Sequence, residues 1–207
     1  MQFSSADHDA LMTLLAWRRD VRHFRPDPVP EPMIARLEAA MRLAPSVGNA
    51  RPWRVIRVDD PAIRAAVRDD FAACNAAAAG RYQGDKRAEY TALKLAGLDA
   101  APVQLAVFCV DDPAQGHGLG RQTMPHTLMQ SVSMAVFALW LSARAQNLGV
   151  GMVSILNPDR ITALLDTPPD WRFAAWLCIG WPERSDDTPL LHRTGWQEND
   201  DAPWLKR

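Results

Sequence analysis

Arg18, Arg19 and Arg22 fall within five positions of one another, with Arg25 just beyond and one carboxylate, Asp20, among the first three. Guanidinium groups are planar donor forks that suit phosphate oxygens. An acid beside them has the makings of a general acid–base, its pKa set by burial and by those charges. The same residues also suit a solvated helix end, where cations complement the macrodipole. A second stretch, APSVGNARPW, holds a tight backbone through Pro45, Gly48 and Pro52, and presents Ser46, Asn49 and Arg51 on it, a surface for a polar ring edge. A third, LGVGMVSIL, places Gly149 and Gly151 where a ligand could approach a strand backbone closely. In that strand Ser154 shares a face with Met152 by alternation.

Other chemistry has little support. There is no GxSxG elbow, HExxH or paired-cysteine signature, and GHGLG at 116–120 lacks the full GxGxxG and the strand–helix setting it needs. The five histidines are scattered. Cys74, Cys109 and Cys178 are odd in number and far apart, which predicts free thiols in a reducing compartment and no metal site. A formal net charge of -1 gives no case for nucleic acid. The N-terminus lacks a signal peptide's basic and apolar regions. The longest apolar helix is interrupted by Ser131, Ser133, Ser142 and Arg144, so no membrane span is predicted. A cytoplasmic protein is expected.

Periodicity predicts the elements that must position these residues. A first helix, capped by Asp7 or Asp9, runs to about Arg19. Pro30 opens a second, with Met33, Ile34, Leu37 and Met41 as its stripe. Strands are predicted at 53–58, 103–110, 149–156 and 172–181. Helices are predicted at 61–79, after the polar turn at 80–85, at 126–146 and at 158–165, and the tail is read as irregular. With 207 residues, 48% of them hydrophobic, the chain reads as a single domain of the α+β class, a small mixed sheet flanked by helices. The long central helix is apolar over much of its circumference, which suits burial on several sides, including against a partner subunit.

RRDVRHF, APSVGNARPW and LGVGMVSIL in this order resemble the nitroreductase-like flavoproteins. Most of these carry serine where this chain has Asp20. RRDVR, LKLAGLDAAP, LGRQTMP, LWLSARAQNLGVGMVSIL and AAWLCIGWPE together are similar to one branch, the 5,6-dimethylbenzimidazole synthases, from about Leu15 to Trp196.

The resemblance implies a homodimer with FMN at the subunit interface. It implies that reduced FMN, supplied by a separate flavin reductase, is the substrate. Molecular oxygen would break the flavin to 5,6-dimethylbenzimidazole, the lower ligand of vitamin B12. Carried over by residue, Arg18, Arg19 and Arg22 would hold the phosphate and ribityl oxygens, with Val21 along that backbone. Ser46, Asn49 and Arg51 would bind the flavin from their loop, and residues 81–95, including Leu93, would form a lid. Asp20 and Ser154 would be catalytic, with backbone N–H groups from Gly151 to Ser154 facing the ring. The loop reads Asn49-Ala50-Arg51-Pro52-Trp53 where the family pattern ends NxQPW. GWQEND lacks an arginine often found after GW, leaving Arg193 or another residue to serve. The alternatives are an FMN-dependent NAD(P)H nitroreductase or quinone reductase, favoured by serine at position 20, and a flavin-storage protein without turnover.

Overall fold

The computed structural model describes residues 1–93, 95–200 and 202–206. In chain order it contains α1 (Ser5–Trp17), β1 (Phe24–Arg25), α2 (Glu31–Arg42), β2 (Trp53–Arg57), α3 (Pro61–Ala79), α4 (Gly84–Ala92), β3 (Val103–Val110), α5 (Thr127–Ala145), β4 (Gly149–Val153), α6 (Pro158–Leu164), β5 (Trp171–Pro182) and α7 (Leu190–Arg193). A short 3-10 turn spans Val47–Asn49.

Local chemistry accounts for many of the boundaries. The cap of α1 is Ser4, not an aspartate: its hydroxyl accepts from the Asp7 N–H while Asp7 returns a bond to the Ser4 N–H, a capping box. Asp60 caps α3 and Asn157 caps α6, each ahead of a proline in the first turn.

The sheet is five-stranded, in the order β1-β5-β3-β2, with β4 also paired to β5. The expected mixed sheet is corrected: every strand pairing among the described residues is antiparallel. The one parallel contact is an isolated bridge between Asp20 and Val150. The twelve-residue β5 is central because β3 pairs along one side while β4 and β1 share the other.

All eight residues of β3 are buried, as a strand covered on both faces requires. One face, through Leu105, Val107, Leu177 and Ile179, packs on Leu37 and Met41 of α2 and on Leu128, Val132, Leu139 and Ala143 of α5. The other, through Ala106, Phe108, Trp176 and Cys178, packs on Val67 of α3 and Ile161 of α6. The buried Gln104 side chain is satisfied: its amide donates to the Leu98 carbonyl at 2.9 Å and its oxygen accepts from the Trp176 indole at 3.0 Å. By length and composition α5 could cross a membrane, but 44% of its apolar window is buried in this core. Cys109 and Cys178 are buried and Cys74 is half-buried, all three free. Burial pushes the Cys178 thiol up to about 12, which leaves it un-ionised and inert.

Candidate active site

Residues 18–22 leave α1 as an extended segment laid along β4. The Val21 N–H donates to the Val150 carbonyl at 3.0 Å. The two glycines of GVGMV permit this. A Cβ on Gly151 would stand 2.1 Å from the Val21 carbonyl oxygen, and one on Gly149 would stand 2.7 Å from the Val21 side chain. The close approach expected for a ligand at these glycines is therefore made by the chain's own Val21.

That docking sets Asp20. One carboxylate oxygen accepts from the Met152 N–H at 2.9 Å, and the other accepts from Arg22 Nε at 2.8 Å. Arg22 keeps only 13% of its side chain exposed and Asp20 32%. Met152 and Ser154 are exposed with Val153 buried between them, as strand alternation predicts. β4 ends at Val153, short of the expected 156, so the acid is tied to the strand that leads into Ser154.

A cavity of about 480 Å³ opens beside Asp20. Its walls are residues 17–23, Trp140 and Arg144 of α5, the start of β4, and the C-terminal segment from Pro182 to Thr194. Arg18, Arg19, Arg22, Arg144, Arg184 and Arg193 line it against three acids, Asp20, Glu183 and Asp186. A dianion is the natural ligand for such a wall.

The arginines are not equivalent. The Arg18 guanidinium lies 5.1 Å from the Trp140 ring and 5.8 Å from the Phe137 ring, and its Nε is buried with no hydrogen-bond partner. Desolvation, and then the neighbouring Arg19, lower its pKa, against the pull of Asp20. A buried cationic donor without an acceptor carries a cost that an anionic ligand would relieve. Arg19 is engaged within the protein: Nε donates to the Asp187 carbonyl at 2.8 Å, Nη2 reaches the same oxygen, and Nη1 donates to the Arg18 carbonyl at 2.7 Å. It staples the C-terminal segment across the cavity. Arg144 donates to Ser185 at 3.2 Å, and Arg193 pairs with Asp186 at 2.6 Å.

The loop at 45–52 lies elsewhere. Ser46 turns back to accept the Arg51 N–H at 3.0 Å, and the Val47 N–H donates to Ser131 of α5 at 3.0 Å. Asn49 and Arg51 hold left-handed backbone at φ 54 and 45, a conformation non-glycine residues seldom adopt. Both are exposed, and none of the three lines the cavity. GHGLG packs on this loop: a Cβ on Gly116 would come within 2.7 Å of the Gly48 carbonyl. Leu93, the half-buried C-cap of α4, also stands away from the cavity. Its helix is held by Tyr90, which donates to Asn75 at 2.7 Å and stacks on Tyr82 at 4.9 Å. Lys86 lies 3.9 Å from the Trp196 ring. The structure therefore brings Arg18, Arg19, Asp20, Val21 and Arg22 together at the cavity, with Gly151 on the adjoining strand and Ser154 just past its end. It leaves Ser46, Asn49, Arg51 and Leu93 outside.

Arg144, Arg184 and Ser185 were not legible as site residues. Arg144 reads as an ordinary last-turn cation of α5, and no local pattern ties residues 182–188 to Arg19.

The nitroreductase family pattern matches residues 15–181. A protein of Rhodobacter capsulatus named 5,6-dimethylbenzimidazole synthase is 61% identical over 207 residues, covering 100% of both chains. One of the same name from Rhodospirillum rubrum is 53% identical over 205 residues, 99% of this chain and 97% of that one. Among solved structures, an iodotyrosine deiodinase bound to FMN and 3-iodo-L-tyrosine superposes with a TM-score of 0.72 at 23% identity, covering 95% of this chain and 97% of the other. A BluB-like flavoprotein from Clostridium difficile superposes at 0.67 and 20% identity, covering 95% and 94%.

Proposed function

This chain belongs to the nitroreductase family, and we propose that within it the protein is a 5,6-dimethylbenzimidazole synthase that fragments reduced FMN with molecular oxygen. The observation that carries the reading is full-length similarity to relatives of that name. The cavity suits the ligand: FMN brings a phosphate dianion, and the buried Arg18 Nε lacks an acceptor. Bound reduced FMN would supply both the electrons for oxygen and the atoms of the product.

The chain's own residues then divide the work. Arg18 and Arg22, with Arg144 and Arg193, hold the phosphate end, while Arg19 keeps the C-terminal wall in place. Asp20 stays hydrogen-bonded to the Met152 N–H and Arg22, which orients its carboxylate to take and return a proton at the ribityl chain. Ser154, just past the end of the adjoining strand, offers a hydroxyl at the flavin edge. The resemblance assigns water exclusion to a lid at 81–95, but none of its described residues lines this chain's cavity, and Lys94 lies outside the described residues.

Homodimer formation completes this reading. Leu11, Met12 and Trp17 of α1 and Met134 and Phe137 of α5 are large apolar side chains left 40% to 50% exposed, a face suited to a second copy. Ser46, Asn49 and Arg51 would then reach a flavin from the partner's side. A separate cytoplasmic flavin reductase supplies the reduced flavin.

The test is to load the protein anaerobically with chemically reduced FMN, admit air, and follow the flavin spectrum and products by mass spectrometry. Stoichiometric loss of flavin with appearance of 5,6-dimethylbenzimidazole is the expected result. Clean return of oxidised FMN would overturn it and favour an NAD(P)H-dependent nitroreductase.

A further inference from the structure

Ser154 lies in a short connection between β4 and α6, and two carboxylates grip that connection by its backbone. At one end Asp20 accepts from the Met152 N–H at 2.9 Å. At the other, Asp70 of α3 accepts from the Asn157 N–H at 2.8 Å. Asp70 is the one buried acid among the described residues, with its side chain 6% exposed. Its second oxygen accepts from Arg160 Nη1 at 3.1 Å, and the Cys74 thiol points at it from 3.8 Å. Burying a carboxylate is costly, and a well-packed apolar residue would often serve stability as well. What an apolar residue could not do is accept the Asn157 N–H and pull Arg160 of α6 onto α3.

We propose that Asp70 is a positioning residue for Ser154, fixing the far end of segment 152–157 so that the serine hydroxyl stands at a set place relative to Asp20. The inference rests on the reading above, in which Asp20 and Ser154 are the reacting groups. Asp20 is anchored to the segment's start and Asp70 to its end. The spacing between the acid and the hydroxyl is then fixed by backbone bonds at both sides, and displacement of a reacting group by about 1 Å costs up to about a hundredfold in rate.

The experiment is a double-mutant cycle with a second, activity-free readout. In the ligand-free protein, Asp70→Leu, which keeps the volume but has no acceptor for the Asn157 N–H, should accelerate amide hydrogen exchange at residues 154–157 while Met152 stays protected. FMN affinity should be unchanged, and the rate of 5,6-dimethylbenzimidazole formation should fall by roughly tenfold or more. In a Ser154→Ala background, Asp70→Leu should cost nothing further, because residues acting through one another are not additive. Arg160→Gln removes the exposed partner of Asp70 and should give the same pattern more weakly, and it decides the matter if Asp70→Leu does not fold. Additive losses in the cycle, or unchanged exchange at 154–157, would overturn the proposal. If the wild-type protein makes no 5,6-dimethylbenzimidazole, the functional reading fails, while the exchange measurement still shows whether Asp70 holds the segment.

Discussion

Two ends of α5 carry two regions that both looked suited to flavin. At the C-terminal end, Trp140 and Arg144 face a cavity in which the Arg18 Nε is buried without an acceptor. At the N-terminal end, Ser131 of α5 and Ser46 accept the backbone N–H groups of Val47 and Arg51, so these two loop donors are met within the chain. Ser131 and Trp140 are nine residues apart, about 13 Å along a helix. The first region holds a polar donor short of a partner, the mark of a ligand site. The second has the two N–H groups of Val47 and Arg51 met within the chain, and under the proposed reading it would reach a flavin only from a second copy.

The largest expected effect is at the acid. Asp20→Asn keeps an oxygen for the Met152 N–H but loses the proton carrier, so product formation should drop by two to four orders of magnitude with FMN binding largely intact. Loss of both would make Asp20 structural. Next is the wall itself: Gly151→Ala puts a methyl 2.1 Å from the Val21 carbonyl and should destabilise by about 2 kcal/mol or more. A thermal melt and an FMN titration should both report it. Arg18→Ala should weaken FMN by about 10- to 100-fold and riboflavin much less, by fluorescence titration; equal loss would refute a phosphate clamp.

At the other end of α5 the effects should be smaller, and on stability before binding. Gly48→Ala, at φ 55 with the Leu119 carbonyl 2.9 Å from the new Cβ, should cost about 1–2 kcal/mol in a denaturant melt. Ser46→Ala should cost about 1 kcal/mol and should weaken flavin only under conditions where ultracentrifugation finds a dimer. A monomer that binds FMN equally well with or without Ser46 would separate the two regions for good.

Regular elements were legible where periodicity is strong. The helix at 61–79 and the strand at 103–110 match α3 and β3 to the residue, because alanine-rich helical spacing under a proline start and a β-branched apolar run are local signals. The two-residue β1 and the four-residue α7 were missed because neither is long enough to show a period. The mixed sheet was expected from alternating helices and strands, but the pairing depends on which side of β5 each strand finds. At the site, RRDVR and the glycines of GVGMV stood out by residue type, whereas Ser154 was singled out only by the family resemblance. The glycines' role did not, since the partner that needs their missing side chains is Val21, over a hundred residues away in sequence.

By itself the sequence determined the inventory of candidate groups in this protein: clustered guanidiniums with an acid among them, paired glycines followed by a serine, and a chain of nitroreductase type. These are properties of residue identity and short spacing. The tertiary structure decided which groups share a space. It turned Arg19 inward to staple residue 187, left Arg18 with a buried unpaired donor, and set Asp20 and Asp70 at the two ends of the segment bearing Ser154. Such choices depend on contacts between distant parts of the chain, which are fixed only when β4 docks on β5 and the first extended segment docks on β4.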